Sequence, residues 1–162
     1  MTRIRLLAIC AAAAVALSAA AAAGANDGTL KAAIGKSLTP LFGQVAVLTK
    51  LQAVVSPGTS AAKQKAFAPS AIASGKTLAK LGALGLASLT AQKPSTAAGT
   101  KARAVCAKLF AGVKKGGTDL VAWGKAAAAG HVSAAATKSL AAFANSLVPA
   151  GLGCQTAYGG LK

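Results

Sequence analysis

Val105, Leu109 and Val113 follow one another at four-residue steps, and Lys101, Lys108 and Lys115 at seven-residue steps. On an α-helix both spacings bring a side chain back to nearly the same side; on a strand, a seven-residue step would throw successive lysines to opposite faces. The stretch from 101 to 115 therefore reads as a helix with one core face and one cationic face. Elsewhere β-branched residues never gather into alternating runs, so the same reading extends to the whole chain. An all-α fold is expected. The hydrophobic fraction of 54% overstates the greasiness of this chain, because alanine dominates it. Alanine is the best helix former and adds little buried area.

Punctuation divides the chain into about four helical regions. In the first, Ile34, Leu41, Leu48 and Val55 stand seven apart, with Leu38 and Val45 between them. Pro40 follows Thr39, which suits a cap and a new first turn, so helices over 28–37 and 40–55 are expected. Ser56-Pro57-Gly58-Thr59 is a turn. The second region, 60–92, is expected to be kinked or split at Pro69. Its leucines (78, 81, 84, 86, 89) spread round more than one side, and Gly75, Gly82 and Gly85 permit close helix–helix approach. The third begins after Lys93-Pro94 with Ser95 or Thr96 as cap. Gly116-Gly117 ends or bends it, Thr118 or Asp119 starts a continuation through Leu120 and Trp123, and Gly130 stops it. The fourth, 132–148, places Ala136, Leu140, Phe143 and Leu147 at alternating four- and three-residue steps and ends at Pro149 and Gly151. Short breaks between apolar helices predict a small antiparallel bundle with an irregular, glycine-rich tail over 151–162.

The first residues bear on compartment. Arg3 and Arg5 precede an uncharged apolar run over 6–23, and Ala23-Gly24-Ala25 supplies small residues at signal-peptidase spacing. The expectation is a signal peptide over 1–25, cleaved before Asn26, with 26–162 as one exported domain in the periplasm, envelope or medium. A retained anchor is the alternative, since the run is long enough to span. Export makes a disulfide favourable for the two cysteines that remain, Cys106 and Cys154. If helices three and four form a hairpin about Gly130, these residues lie equally far from the turn and face each other. The bond would tie the tail to the third helix.

Without the leader, sixteen basic residues oppose only Asp27 and Asp119, for a net charge of about +14. Arg103 is the one arginine among them. Lysine is a hydrated point charge, so this surface suits diffuse attraction to a polyanion better than bidentate recognition of one group. Lys101, Arg103, Lys108, Lys114 and Lys115 form the densest cationic cluster and are the candidate polyanion-binding residues. The chemistry of catalysis is thin by comparison. His131 sits in a turn, Asp27 beside the expected mature terminus, and a Ser133–His131 couple has no oriented third partner. One histidine and a cystine make no metal set, and no phosphate-cradling glycine loop is present. Trp123, Phe110 and Phe143 read as core. The leading expectation is a non-enzymatic exported protein, without cofactor, that associates with an anionic wall polymer, acidic glycan or lipid headgroups. Its alternatives are a carrier of small hydrophobic ligands, and a structural bundle whose lysines serve solubility. Export and scarce aromatics count against nucleic acid as the partner.

Overall fold

The computed structural model describes residues 25–56 and 58–161. Five helices follow in order: α1 (Ala25–Phe42), α2 (Val45–Val54), α3 (Ala61–Thr90), α4 (Ala97–Ala128) and α5 (Ala134–Gly159). Among the described residues there is no strand, so the all-α expectation holds. The expected leader falls almost wholly on residues 1–24, outside the described part.

The count rises from about four helices to five, and the first break moves. Pro40 lies inside α1, and the chain turns instead at Gly43-Gln44, where the Gln44 N–H reaches the Leu41 carbonyl at 3.0 Å. A proline within a helix forfeits one backbone hydrogen bond and crowds the preceding turn. Pro40 is exposed, which leaves the orphaned carbonyl open to water. Pro69 and Pro149 also lie inside helices, on exposed sides. Pro69 does not split its helix, and Pro149 does not end the last one, as the sequence suggested.

The longer helices begin on hydroxyl caps. Ser60, Thr96 and Ser133 each accept the backbone N–H three residues on, at Lys63, Gly99 and Ala136. The stop at Gly130 is as expected. Gly130 has φ of 77°, its N–H reaches the Ala127 carbonyl, and the His131 N–H reaches that of Ala126, a Schellman closure.

α3 and α4 make the most extensive interface in the molecule. The buried residues of α3 are Ala68, Ala71, Gly75, Leu78, Gly82, Gly85 and Leu89, at alternating three- and four-residue steps. That is an apolar heptad seam, but one made largely of residues with little or no side chain. A Cβ on Gly75 would stand 2.9 Å from the Val121 nitrogen, one on Gly117 2.4 Å from the Ala79 nitrogen, and one on Gly82 2.4 Å from the Lys114 nitrogen. These pairs run in opposite directions along the two helices, so the hairpin is antiparallel and its backbones nearly touch. Gly116 is buried because the Phe143 ring of α5 occupies the place of its side chain. Gly116 and Gly117 therefore neither end nor bend α4; they are where α5 and α3 press against it.

Trp123, Phe110, Leu30, Ile34, Leu51 and Leu140 are the large side chains at the centre. They join α1, α2 and α5 to one side of the α3/α4 hairpin in a continuous apolar cluster. The segment 151–159 is not an irregular tail but the last turns of α5. Glycines make it a poor helix by propensity, and packing overrides this. Cys154 is buried against Cys106, Ala157 and Tyr158 lie on the core, and Leu161 is only 2% exposed. Lys31 of α1 donates to the Leu161 carbonyl at 2.7 Å, with its ammonium 5.6 Å from the Tyr158 ring centroid. The two ends of the described chain are thereby held together.

Candidate functional site

The distribution of charge is the chemical feature that sets this molecule apart, and it begins with where its two acids go. Asp27, 4% exposed, lies at the N-terminus of α4. Its Oδ1 accepts the Ser95 N–H at 2.8 Å and the Ser95 hydroxyl at 3.2 Å, and its Oδ2 accepts the Thr96 hydroxyl. A carboxylate at a helix N-terminus faces unpaired N–H groups and the positive end of the helix dipole. The Thr96 hydroxyl, followed by the Ser95 N–H, holds the Asp27 pKa below the ordinary aspartate value, while burial opposes them. The expectation that Asp27 merely sits beside a terminus missed this role, because the partner lies 69 residues away.

Asp119 does not cap a helix. It lies in mid-α4, and its Oδ2 takes Lys115 Nζ at 2.6 Å, an i,i+4 pair. This is the only ion pair among the described residues. Both acids are thus engaged within the protein, one buried and one matched to a neighbouring lysine.

The five candidate cations all lie on α4, but they do not form one stripe. At about 100° per residue, Lys101, Lys108 and Lys115 share the side of α4 turned away from α3, about half a turn round from Gly117. Arg103 and Lys114 stand nearer α3. Lys101, Lys108 and Lys114 are exposed. Arg103 is half-buried and donates to the Gln92 carbonyl at 2.7 Å, which satisfies the chain just beyond α3. Lys115 is shared with Asp119.

The sulfurs of Cys106 and Cys154 lie 2.00 Å apart, at disulfide distance, with both residues buried. They join α4 to the last turns of α5, as the mirror spacing about Gly130 implied. Near that turn, an open cleft of about 240 Å³ is lined by Asp119, Trp123, His131, Ser133 and Ser139, among others. The Ser133 hydroxyl accepts the Ala136 N–H as the α5 cap, and Asp119 is held by Lys115. His131 is exposed. The hydroxyl and carboxylate that a relay through His131 would require have other partners. Among the described residues, no three metal-ligating side chains come together. Among the described residues, no helix is long and apolar enough to cross a membrane.

Compared with known proteins, the chain matches no family model, no curated protein and no solved structure.

Proposed function

We propose that this is a non-enzymatic exported protein that associates with anionic material of the cell envelope through its cationic surface. The observation that carries this reading is the fate of the two acids. Asp27 is buried at the start of α4 and Asp119 is matched to Lys115, so the surrounding lysines contribute to a potential of one sign. A surface serving solubility alone does as well with both signs interspersed. Here Lys101, Lys108 and Lys114 stand exposed on α4, and Arg103 and Lys115 add to the local field despite their internal partners.

Such a field attracts polyanions at long range and discriminates poorly among them. It is screened beyond about 8 Å at physiological salt. The test is co-sedimentation of the exported protein with native envelope and with poly(glycerol phosphate) at graded salt. Affinity should fall steeply as salt rises and depend little on the chemistry of the polyanion. Absence of binding at low salt, or binding indifferent to salt, would defeat the proposal.

A further inference from the structure

The contacts of the glycine seam fix the register of the α3/α4 hairpin and the direction in which each of its exposed lysines points. A Cβ on Gly75 would meet Val121, one on Gly117 would meet Ala79, and one on Gly82 would meet Lys114. Each step back along α3 is therefore matched by one step forward along α4. Turning round α4 from Gly117, Gly116 and Trp123 lie about 100–120° to one side, where Phe143 of α5 and Phe67 of α3 cover them. The other side is open. On it Lys114 and Lys125 stand about 60–80° from Gly117, and Lys108 and Lys101 follow at about 180–200° on the outer shoulder. In an antiparallel pair, turning in the same sense from Gly82 leads round α3 to the same open side. Lys65 and Lys76 stand there at about 100–120°, and Lys80 at about 160°. All seven are exposed, and none belongs to the only ion pair among the described residues. Lys115 shares the outer shoulder of α4 but is matched to Asp119.

Placed in that register, the seven follow one another along the hairpin: Lys101, Lys108 and Lys114, then Lys80 and Lys76, then Lys125 and Lys65. The file is about 45 Å long at 1.5 Å per residue, with axial steps of about 3–11 Å. Three observations select its occupant. First, the file is not flat. Its lysines point round about half a turn of the hairpin, so a planar surface resting on Lys114, Lys125 and Lys65 leaves Lys101 and Lys108 turned away from it. A flexible chain can follow them all. Second, apart from lysine the outer shoulder of α4 exposes only small side chains, such as Ala104, Ala111, Thr118 and Ala122, which lets a strand lie close to the helix. Third, the rings of α3, α4 and α5 (Phe67, Phe110, Trp123, Phe143 and Tyr158) all lie in or against the core. The file offers charge but no platform on which bases would stack.

We propose that this file of lysines is the binding track for a single flexible phosphodiester strand of the poly(glycerol phosphate) type, whose phosphates the lysines meet in turn. The inference rests on the cationic-surface reading above and names its contact residues and its partner. Lysine meets a phosphate as a point charge and needs no fixed fork geometry. Glycerol linkages bend over a convex surface where the ring-to-ring backbone of an acidic glycan is stiff.

The test titrates the exported protein with glycerol phosphate oligomers of graded length and with long polymer, over a range of salt. Each lysine–phosphate contact on a single strand contributes about −0.7 to the slope of log affinity against log salt. The wild type should show a slope of about −5 on the polymer and about −2 on an oligomer of three phosphates, which should bind at least about 100-fold more weakly at low salt. The triple variant Lys76→Gln/Lys114→Gln/Lys125→Gln should bring the polymer slope to about −3. Lys36→Gln/Lys50→Gln/Lys138→Gln removes the same charge from exposed positions on α1, α2 and α5 and should leave the slope unchanged. Glutamine keeps comparable helix propensity, and unchanged melts verify both folds. Equal slopes for the two variants, or a three-phosphate oligomer that binds like the polymer, would overturn the track while the general cationic reading stands. Tighter binding to oligothymidylate with the same number of phosphates, to an acidic glycan or to phosphatidylglycerol vesicles would overturn the choice of partner. Binding to none of these would overturn both proposals.

Discussion

The Thr96 hydroxyl donates to the Asp27 carboxylate and at the same time accepts the Gly99 N–H, so one side chain caps α4 and ties the first turn of α1 to it. A helix start becomes a tertiary joint in this way. α1 is otherwise a weakly amphipathic segment, and this joint supplies the polar fixed point that its apolar packing lacks.

The joint makes stability depend on acid. The folded-state pKa of Asp27 lies below its ordinary value, which for a free aspartate is about 3.9. A depressed pKa contributes stability above the unfolded value and loses it as pH falls through the folded one. Asp27→Asn is therefore expected to melt several degrees below the wild type at neutral pH. The two should converge as the pH falls through that lowered folded-state value, where the wild-type carboxylate is also protonated. Paired thermal melts across this range check it, and a gap that persists undiminished in acid would count against the mechanism.

Two glycines of the hairpin should respond to alanine with opposite sign. At Gly82 a Cβ would lie 2.4 Å from the Lys114 nitrogen and 2.7 Å from the Phe110 carbonyl oxygen. Both are backbone atoms, so the helices must part. Gly82→Ala should cost about 1–3 kcal/mol, as overpacking does. Gly112 sits in the interior of α4, exposed, with nothing within 4 Å of a built Cβ. Gly112→Ala should stabilise by roughly 0.5–1 kcal/mol through helix propensity alone. Denaturant melts of the two variants suffice. Similar shifts in the same direction would mean that the close approach is not as described.

Breaking the Cys106–Cys154 bond should act mainly on the end of α5. Replacing both cysteines by serine should cost about 2–4 kcal/mol overall. The glycine-bearing turns over 151–159 should lose amide-exchange protection before α3 and α4 do. If protection there is unaltered, packing around Tyr158 and Leu161 alone holds the segment.

Intact-mass measurement of the exported protein should find a chain starting at Asn26 or within a few residues of it, as the Ala23-Gly24-Ala25 spacing implies. Recovery of a membrane-bound species that still carries Met1 would overturn the expectation.

What the sequence by itself determined was local. Four-residue apolar steps made helices, a cap at Ser95 or Thr96 and a stop at Gly130 bounded them, and symmetric placement about Gly130 paired Cys106 with Cys154. Each of these depends on residues close in the chain or on a single hairpin. Tertiary structure decided the rest. Pro40, Pro69 and Pro149 could remain inside helices because each lies on an exposed side, and exposure is a property of the assembled helices. Residues 151–159 are helical because Cys154 and Tyr158 pack on α4 and α1, against the propensity of their own glycines. Asp27 was legible as an acid near a terminus, but not as the anchor of a helix 69 residues later. The basic character of the surface could be counted from the chain. Which lysines share a face could not, because it depends on the register in which Gly75 and Gly82 meet α4. That register is set by backbone contact between small residues, which leaves little side-chain pattern to read. The seven-residue spacing of Gly75 with Gly82 and of Gly117 with Gly124 was its one trace in the sequence.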